Sequence, residues 1–332
     1  MTSLMEAPAT PPIASVILLT YNQEQFVEEA LRSLLNQDMD AVEIIISDDC
    51  SRDATWEKIQ AVVNAYSGPK KVMISRNSSN MGIVDNYAAG VRQSSGNLIF
   101  MAAGDDISLP DRCSKTIQFW RDTQQRYDLV AADAFDMAYD GTILGEKHNS
   151  ELETVTIEGW FKERPYFFGA THMVTRRLLN LAPLSNQLPY EDQCLVFRAM
   201  LMGGVARLPR ALVCHRRGGL TQKIGFQFGG RRAEVIRDMS REILELRQFS
   251  SDAAALKKTP LVDSLVSQKL TYCSAILELF RNPDSIEAIK KFCSSADVSA
   301  REKRRYFRYY FFYPMLVIAH AIRDSIRTLR LR

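Results

Sequence analysis

The sequence predicts an α/β protein in which a mostly parallel sheet is covered by helices on both faces and is followed by a helical C-terminal region. Short apolar, β-branched runs alternate with helix-like spacing from residue 15 to about residue 134, and such alternation is typical of parallel sheets because each crossover needs a helix. After Asp128 the alternation weakens, and Asp140-Gly141 between two apolar runs predicts a β-hairpin. Beyond about Leu220 the chain is charged and has helical periodicity.

The individual elements follow from the same periodicity. The first four strands are predicted at 15–20, 42–47, 71–75 and 98–102. In the segments between them, apolar residues recur every three or four positions, as at Leu31, Leu34 and Leu35, which indicates helices with one buried face. Later strands are predicted at 167–174 and 205–214, on either side of a helix that begins near Glu191.

Length and composition indicate how the chain is divided. Its 332 residues are 46% hydrophobic, which is ordinary for a globular protein. The Pro-rich start predicts a flexible lead at 1–12. We expect an α/β domain at 13–220 and a helical region at 221–332, of which 301–332 is a basic and aromatic tail.

Charge and cysteine content bear on partners and location. The formal net charge is only +3, so the composition predicts no nucleic-acid partner. Positive charge is concentrated in the tail, which has nine Lys or Arg residues against Glu302 and Asp324. The six cysteines show no C-x-x-C spacing, and the N-terminus lacks the layout of a signal peptide. A reducing cytoplasm is therefore the predicted location.

Acidic and polar residues follow the predicted strands. The first strand ends in Thr20-Tyr21-Asn22, the second in Ser47-Asp48-Asp49, and the fourth in Gly104-Asp105-Asp106. Ligands of open parallel sheets bind at these carboxyl ends. Two adjacent carboxylates repel each other unless a cation or a hydrogen-bond donor compensates them, and hard oxygen ligands suit Mg²⁺ or Mn²⁺. The alternative is that these aspartates only turn the chain and cap the following helix.

Taken together, these segments resemble the family 2 glycosyltransferases. Five segments match the family's signature elements in order, over about residues 13 to 216: VILLTYN at 16–22, SLLNQ at 33–37, IISDDCSRD at 45–53, NMG at 80–82 and GNLIFMAAGDD at 96–106. The resemblance implies a GT-A fold, which is a Rossmann-like sheet flanked by helices. It also implies inverting sugar transfer from a nucleotide-diphosphate sugar with Mn²⁺ or Mg²⁺ as the cofactor.

The resemblance also implies roles for individual residues in holding the donor. The nucleotide would contact Thr20, Tyr21, Asn22 and Asp49, with Asp49 accepting a hydrogen bond from uracil N3, and Asp105 would face the ribose. Asp106 would hold the metal. Arg76 and Asn80 would lie near the base or the diphosphate, although Arg76 is equally well explained as a residue of a surface loop.

The second half of the predicted domain supplies the chemistry. Inversion needs a general base that takes the proton of the acceptor hydroxyl. Glu191-Asp192 at the start of a predicted helix resembles the family's Glu-Asp motif, and we expect Asp192 to be the base, with Glu191 as the alternative. A purely structural explanation also exists, since acidic residues stabilise a helix N-terminus.

Several residues near the end of the domain have two possible roles. His215 falls where related enzymes supply a metal ligand, although a lone histidine is more often structural. Cys214 beside it is expected to be a buried free thiol. Arg216 and Arg217 either neutralise the diphosphate or form a solvated rim. The aromatic residues Trp160, Phe161, Tyr166, Phe167 and Phe168 either form an acceptor platform or, for most of them, pack in the core.

The tail couples basic residues to aromatic ones. Its apolar run from Tyr309 to Ile322 has 14 residues and contains Pro314, so it is shorter than the ~20 residues that span a bilayer. Basic flanks suit an interfacial helix on the inner face of the cell membrane. Alternatively, the helix packs on its own domain or on a second subunit of a homo-oligomer.

The leading functional hypothesis is sugar transfer to a glycan or lipid-linked saccharide in surface polysaccharide biosynthesis, with UDP favoured as the donor nucleotide. One alternative is a carbohydrate-binding or scaffold protein without turnover, which the acidic strand ends disfavour. The other is a sugar-phosphate nucleotidyltransferase. That class has a Gly-rich basic loop after its first strand, whereas this chain has Thr20-Tyr21-Asn22-Gln23-Glu24.

Overall fold

The computed structural model describes residues 13–218, 230–282 and 284–311. The chain divides into two compact units, of which one comprises Met1–Leu220 with Asp252–Lys258 and the other Thr221–Ser251 with Thr259–Arg332. The predicted flexible lead at 1–12 and the tail residues 312–332 lie outside the described residues.

The first unit is built around the parallel strands that the sequence predicts. They are β1 (Ala14–Thr20), β2 (Val42–Asp48), β3 (Val72–Arg76) and β4 (Leu98–Ala103). β1 lies between β2 and β4, β3 borders β2, and all three pairings are parallel. β1, β2 and β4 are buried almost throughout because both of their faces are covered, whereas β3 at the edge of the sheet is partly exposed. The carboxyl ends of these strands therefore meet at one edge of the sheet.

The remaining strands make the sheet mixed, as predicted. They are β5 (Ile107–Ser108), β6 (Leu129–Met137), β7 (Ile143–Lys147), β8 (His172–Thr175) and β9 (Val205–Arg216). The sheet order is β3-β2-β1-β4-β8-β6-β9-β5, with β7 beside β6. β8 runs antiparallel to both of its neighbours, whereas β9 runs parallel to β6. The predicted hairpin at Asp140-Gly141 is confirmed by the antiparallel pairing of β6 with β7.

One predicted strand begins too early. The sequence predicts a strand at 167–174, but Gly169–Thr171 forms a 3-10 turn and β8 starts only at His172. The Thr171 N–H donates to the Phe168 carbonyl oxygen at 3.1 Å, which closes the turn. Phe167 and Phe168 are buried even so. Their burial explains the error, because an apolar run has the same pattern in a strand and in a buried turn.

Helices cover both faces of the sheet. They are α1 (Val27–Leu35), α2 (Thr55–Asn64), α3 (Ile83–Gln93), α4 (Arg112–Asp122), α5 (Ile157–Lys162), α6 (Arg176–Leu179) and α7 (Asp192–Leu201). α1, α2 and α4 bury apolar residues in one core cluster with Val16 and Leu18 of β1. On the opposite face, Gly90 of α3 lets the helix approach Ile17, whose Cγ2 would lie 2.5 Å from a Cβ at position 90.

A buried ion pair ties a short late segment to the first unit. Arg198 of α7 donates from Nε and Nη2 to the Asp252 carboxylate at 2.9 and 2.8 Å. Both side chains are fully buried, and Arg198 Nη1 also donates to the carbonyl oxygens of Leu178 and Ala182. The segment Asp252–Lys258 thus belongs to the α/β unit although it follows most of α8 in the sequence.

The second unit is helical, as predicted. Its elements are α8 (Gly230–Ala255), α9 (Thr259–Arg281), α10 (Ile286–Ser294) and α11 (Ala300–Phe311). Tyr306 of α11 is buried against Phe280 and Phe292, and Phe307 packs on the same cluster. The start of the predicted tail thus packs on its own unit, whereas most of the apolar run from Tyr309 to Ile322 lies outside the described residues. Within the described ranges, no helix is long and apolar enough to cross a bilayer.

Candidate functional site

The loops after β1 and β2 are locked together by the first aspartate of the Asp48-Asp49 pair. Asp48 is fully buried, and its Oδ1 accepts hydrogen bonds from Thr20 Oγ1 at 3.0 Å and Ser51 Oγ at 2.5 Å. The Ser51 N–H donates to Asp48 Oδ2 at 3.0 Å. Asn22 joins the same loops, since its N–H donates to Ser51 Oγ and its Oδ1 accepts from the Arg52 N–H. The predicted nucleotide-contacting loop is therefore rigid at Thr20 and Asn22.

The second aspartate of the pair anchors another loop. Asp49 Oδ1 accepts from Asn77 Nδ2 at 2.9 Å and from the Met81 N–H at 2.8 Å, while Oδ2 accepts from the Gly82 N–H at 2.8 Å. An ionised carboxylate has about four acceptor positions. Three are used by the protein, which leaves one for a further donor. Asn80, in the loop that Asp49 holds, is exposed.

Arg76 is tied into the strand-end network. Its Nε lies 3.4 Å from Asp48 Oδ2, and its Nη2 donates to the Ser51 carbonyl oxygen at 2.5 Å. The guanidinium also lies over the Trp56 ring at 5.8 Å. These contacts hold Arg76 at the mouth of β2, and its side chain keeps 37% exposure there.

The Asp105-Asp106 pair lies between β4 and β5. Asp106 is 7% exposed and its Oδ1 accepts the Arg216 N–H at 2.9 Å, whereas Asp105 is partly exposed. Burial, and then the charge of Asp105, raises the pKa of Asp106 to about 8. Burial also raises the pKa of Asp105. Burial therefore disfavours the ionised form of both carboxylates.

His215 lies beside this pair. It is on β9 next to Asp136 of β6, and its ring lies 5.6 Å from that of Phe168. Burial and the charge of Lys147 lower the pKa of His215, so its imidazole is neutral near pH 7. Its Nδ1 is buried and has no hydrogen-bond partner.

These ligand types fit a divalent cation. Carboxylate oxygens and a neutral imidazole are ligands of Mn²⁺, and a cation beside Asp105 and Asp106 would favour their ionised forms. Across the described part of the chain, no group of three or more His, Cys, Asp or Glu residues is gathered as a complete metal site. The remaining ligands would therefore have to come from the substrate or from water.

The two arginines after His215 have different structural roles. Arg216 is buried and donates to the Asp105 and Tyr139 carbonyl oxygens and to Glu29 Oε2, at 3.0, 2.9 and 2.8 Å. Its donors are thus engaged within the protein. Arg217 is exposed and pairs with Asp136, as does Lys147. Neither arginine is a free cation in the structure.

The two acidic residues at the start of α7 differ in burial. Glu191 is 2% exposed, and burial, followed by the charge of Asp192, raises its pKa to about 8. Asp192 is partly exposed, and its Oδ1 accepts the Gln193 N–H at 2.6 Å. It also lies close to Gly169, because a methyl group on Gly169 would stand 3.2 Å from Asp192 Oδ2.

Two consecutive residues, 168 and 169, each contact one of the two predicted halves of the site. Phe168 contacts the His215 ring, and the next residue, Gly169, lies against Asp192. Most of the aromatic candidates pack in the core as predicted, since Trp160, Phe167 and Phe168 are buried. Tyr166 is 54% exposed beside Phe168. Cys214 is buried and free, and burial raises the pKa of its thiol.

Sequence reasoning missed three buried polar residues around this site. Arg112 is fully enclosed in the first turn of α4, and Tyr87 and His172 are buried with unpaired ring or hydroxyl atoms. A signal existed for Arg112. A positive charge in the first turn of a helix is unfavourable with the helix dipole, so another interaction has to hold it there.

Comparison with known proteins identifies a family. The model of the family described as "Glycosyl transferase family 2" matches residues 15–180. An abequosyltransferase, RfbV, of Salmonella typhimurium is 32% identical over 145 residues, which is 43% of this chain and 42% of that protein. A putative glycosyltransferase, EpsH, of Bacillus subtilis is 28% identical over 59% of this chain and 56% of its own length. The chain thus matches about half of the length of these relatives.

Solved structures show the same architecture. TarS residues 1–349 of S. aureus in complex with UDP superpose with a TM-score of 0.56 at 16% identity, covering 88% of this chain and 91% of that one. The mannosyltransferase PcManGT of Pyrobaculum calidifontis, in complex with GDP-Man and Mn²⁺, has a TM-score of 0.53 at 14% identity, covering 97% and 90%. At these identities the likeness shows the fold, and the predicted GT-A fold is confirmed.

The raised pKa of Glu191 predicts a pH-dependent effect on stability. Between its ordinary value of 4.5 and about 8, Glu191 is protonated only in the folded state, so raising the pH destabilises the wild type by up to about 1.4 kcal/mol per pH unit. Glu191→Gln removes this penalty. Its free energy of unfolding should match the wild type near pH 5 and exceed it increasingly up to pH 8, as measured by urea denaturation.

A control comes from Glu43, whose pKa is lowered because hydrogen bonds from Ser15 and Ser95 outweigh its burial. Its stabilising contribution is present above its unfolded pKa, so Glu43→Gln should lower stability at both pH 5 and pH 8. An equal gain for Glu191→Gln at the two pH values would contradict the assignment of a neutral Glu191.

Proposed function

Since the chain belongs to glycosyl transferase family 2, we propose that it transfers a sugar, with inversion, from a nucleotide-diphosphate sugar to a hydroxyl group of a saccharide. The observation that carries this proposal is that an acidic pair with a histidine and a separate aspartate both contact residues 168–169 or their immediate partners. The Asp105-Asp106 pair and His215 lie at the strand ends, and Asp192 lies against Gly169, next to the Phe168 that contacts His215. Such an arrangement suits a donor diphosphate on one side and a proton acceptor on the other.

The donor nucleotide is assigned to the loops after β1, β2 and β3. The network around Asp48 makes these loops rigid before a ligand arrives, which lowers the ordering cost of binding. Asp49 keeps one acceptor position for a base N–H, and we favour UDP as the nucleotide. The base and the diphosphate would be surrounded by Tyr21, Asn22, Arg76 and Asn80. Asp105 would accept a hydrogen bond from a ribose hydroxyl. In line with this donor class, TarS was solved with UDP-GlcNAc and PcManGT with GDP-Man.

Asp106 and His215 would hold Mn²⁺ or Mg²⁺ together with the donor diphosphate. The bound cation would stabilise negative charge on the departing diphosphate. His215 suits this role because its imidazole is neutral and its Nδ1 is unpartnered. Arg216 contributes indirectly, since its N–H and guanidinium fix Asp106 Oδ1 and the Asp105 carbonyl oxygen.

Asp192 is the proposed general base. It would accept the proton of the acceptor hydroxyl while that oxygen forms a bond to the anomeric carbon and the bond from this carbon to the diphosphate breaks. Glu191 is a poorer candidate because its pKa of about 8 keeps it protonated at neutral pH. Partial exposure of Asp192 allows contact with an acceptor, whereas Glu191 is enclosed.

The acceptor is proposed to be a growing surface polysaccharide or a lipid-linked saccharide. The names of relatives support this class, since they include an abequosyltransferase and a putative colanic acid biosynthesis glycosyl transferase, WcaA, of Escherichia coli. We therefore place the protein in the cytoplasm at the inner face of the cell membrane. A scaffold without turnover or a nucleotidyltransferase is less well supported, and release of nucleoside diphosphate from a nucleotide-sugar would separate transfer from both.

Replacement of the proposed metal ligand is expected to remove metal-dependent turnover. In Asp106→Asn the neutral amide oxygen is a weaker ligand than the carboxylate, so we expect at least a ~100-fold loss of nucleoside diphosphate release at saturating Mn²⁺. The matched control is Asp111→Asn, which alters an aspartate five positions later that pairs with Arg210 on the surface. Full activity in Asp106→Asn, measured over a Mn²⁺ titration, would sink the assignment.

Replacement of the proposed base is expected to separate binding from transfer. Asp192→Asn should bind the donor nucleotide as the wild type does in calorimetry but lose about 10²- to 10⁴-fold in kcat for transfer, the usual effect of removing a general base. Glu158→Gln is the control, because Glu158 is an exposed acid in the first turn of α5. If Asp192→Asn transfers sugar at the wild-type rate, another residue is the base.

Basic residues of α11 are expected to bind an anionic membrane surface. Tyr306 and Phe307 face the core of the second unit, which leaves Arg301, Arg304 and Arg308 exposed. Each basic residue near an anionic surface contributes about 1 kcal/mol. Changing all three to Gln should weaken binding to vesicles of anionic phospholipid about 100-fold in sedimentation assays. The control changes three exposed basic residues of the first unit, Arg92, Lys115 and Arg121, to Gln and should leave vesicle binding unchanged. Equal losses of binding in the two triple variants would contradict the proposed role of α11.

A further inference from the structure

A buried arginine bridges two segments beneath the site where the pairing of their strands ends. The antiparallel pairing of β4 with β8 runs from Leu98 opposite Thr175 to Phe100 opposite Met173 and then stops. Beyond that point, Arg112 Nη2 donates to the carbonyl oxygens of Met101 and Ala170 at 2.6 and 2.8 Å. Past the end of the β4–β8 pairing, the guanidinium thus connects the two segments in place of a direct backbone hydrogen bond.

The two segments that Arg112 bridges lead to the two halves of the proposed site. Met101 is followed within a few residues by Asp105 and Asp106. Ala170 adjoins Gly169, on which Asp192 rests. Arg112 Nη1 also donates to Ser108 Oγ at 2.9 Å, just after the acidic pair. One planar group therefore touches the backbone on the donor side and on the base side.

The charge on Arg112 is difficult to explain as a source of stability. Its side chain is 1% exposed, and removal of a cation from water is costly unless partners compensate it fully. Its Nε has no hydrogen-bond partner, and the gap between Arg112 and Asp106 has no room for a water molecule. An apolar side chain would fill this position without the cost of burying a charge. It could not, however, supply the planar guanidinium, whose N–H donors form a fork of fixed geometry.

We propose that Arg112 is a positioning residue that sets the separation between the Asp105-Asp106 loop and Asp192 by bridging the Met101 and Ala170 carbonyl oxygens. This inference rests on the proposed function of Asp192 as the base. Its consequence is specific. Loss of the bridge displaces the base relative to the donor, so sugar transfer to the acceptor suffers while the donor still binds and is still hydrolysed slowly by water.

The test compares Arg112→Lys and Arg112→Gln with the wild type for three quantities: kcat for transfer, KM for the donor, and the ratio of transfer to donor hydrolysis. A lysine keeps the charge, but its one nitrogen on a flexible stem cannot bond Ser108 and both carbonyl oxygens in the fixed planar geometry that the two Arg112 nitrogens provide. A displacement of about 1 Å costs on the order of 100-fold in rate. We expect kcat for transfer and the transfer-to-hydrolysis ratio to fall by about 10- to 100-fold, with the donor KM nearly unchanged.

Arg198→Lys is the matched control. Arg198 is equally buried in the same unit and also bonds two backbone carbonyl oxygens, but its partners are Asp252, Leu178 and Ala182, away from the acidic pair. The Arg198→Lys variant should lower the melting temperature without changing the transfer-to-hydrolysis ratio. If the Arg112 variants reduce transfer and hydrolysis in parallel, as a loss of folded enzyme would, or reduce neither, the positioning role is overturned.

A second variant keeps the inference testable if the Arg112 variants fail to fold. Gly169→Ala introduces a methyl group 3.2 Å from Asp192 Oδ2 and should shift the base directly, giving the same fall in the ratio. Gly159→Ala, in α5, has a comparable 3.2 Å contact with Oγ1 of Thr156, the N-cap residue of that helix, and should leave the ratio unchanged. An unchanged ratio in Gly169→Ala contradicts the inference. Failure of the proposed function itself is distinguishable, because the wild type would then release no nucleoside diphosphate.

Discussion

The structure depends on how each carboxylate at the end of a buried parallel strand is compensated. Asp48 and Asp49 are enclosed, and hydroxyl and backbone N–H groups satisfy them. Asp105 and Asp106 stand at the same edge of the sheet with raised pKa values, because burial outweighs the hydrogen bonds and positive charges around them, and because the charge of Asp105 acts on Asp106. Two largely buried neighbouring carboxylates are suited to an external cation. Asp48 and Asp49 therefore have a structural role in the strand-end loops, whereas Asp105 and Asp106 are the candidates for binding a cation.

The periodicity of apolar residues predicts more of the fold than of the candidate site. The four parallel strands, the hairpin and the helical second unit follow from residue spacing, because burial on one or two faces leaves a pattern in the sequence. The start of β8 was placed too early since Phe167 and Phe168 are buried in a turn. Arg216 could not be assigned from the sequence for another reason: its partners, Glu29 and Tyr139, are far away along the chain.

The buried arginines are a second example of positions that the sequence alone does not predict. Arg112 and Arg198 are both enclosed in the α/β unit, yet charged residues are normally expected at the surface. Their positions are set by carbonyl oxygens that point inward where a strand pairing or a helix ends. Such sites arise from the meeting of distant segments and have no local signature. Only the unfavourable position of Arg112 at the start of α4 hinted at a tertiary partner.

The neighbours Glu191 and Asp192 show how burial divides two similar acids at one helix start. Burial, and then repulsion from the charge of Asp192, makes the enclosed Glu191 retain its proton, whereas Asp192 is partly exposed. The helix N-terminus then favours a single negative charge. The Asp192 carboxylate accepts a hydrogen bond from the Gln193 N–H and lies against Gly169, which gives it a defined orientation. Orientation matters here because a base accelerates transfer only when it lies within hydrogen-bonding reach of the acceptor hydroxyl.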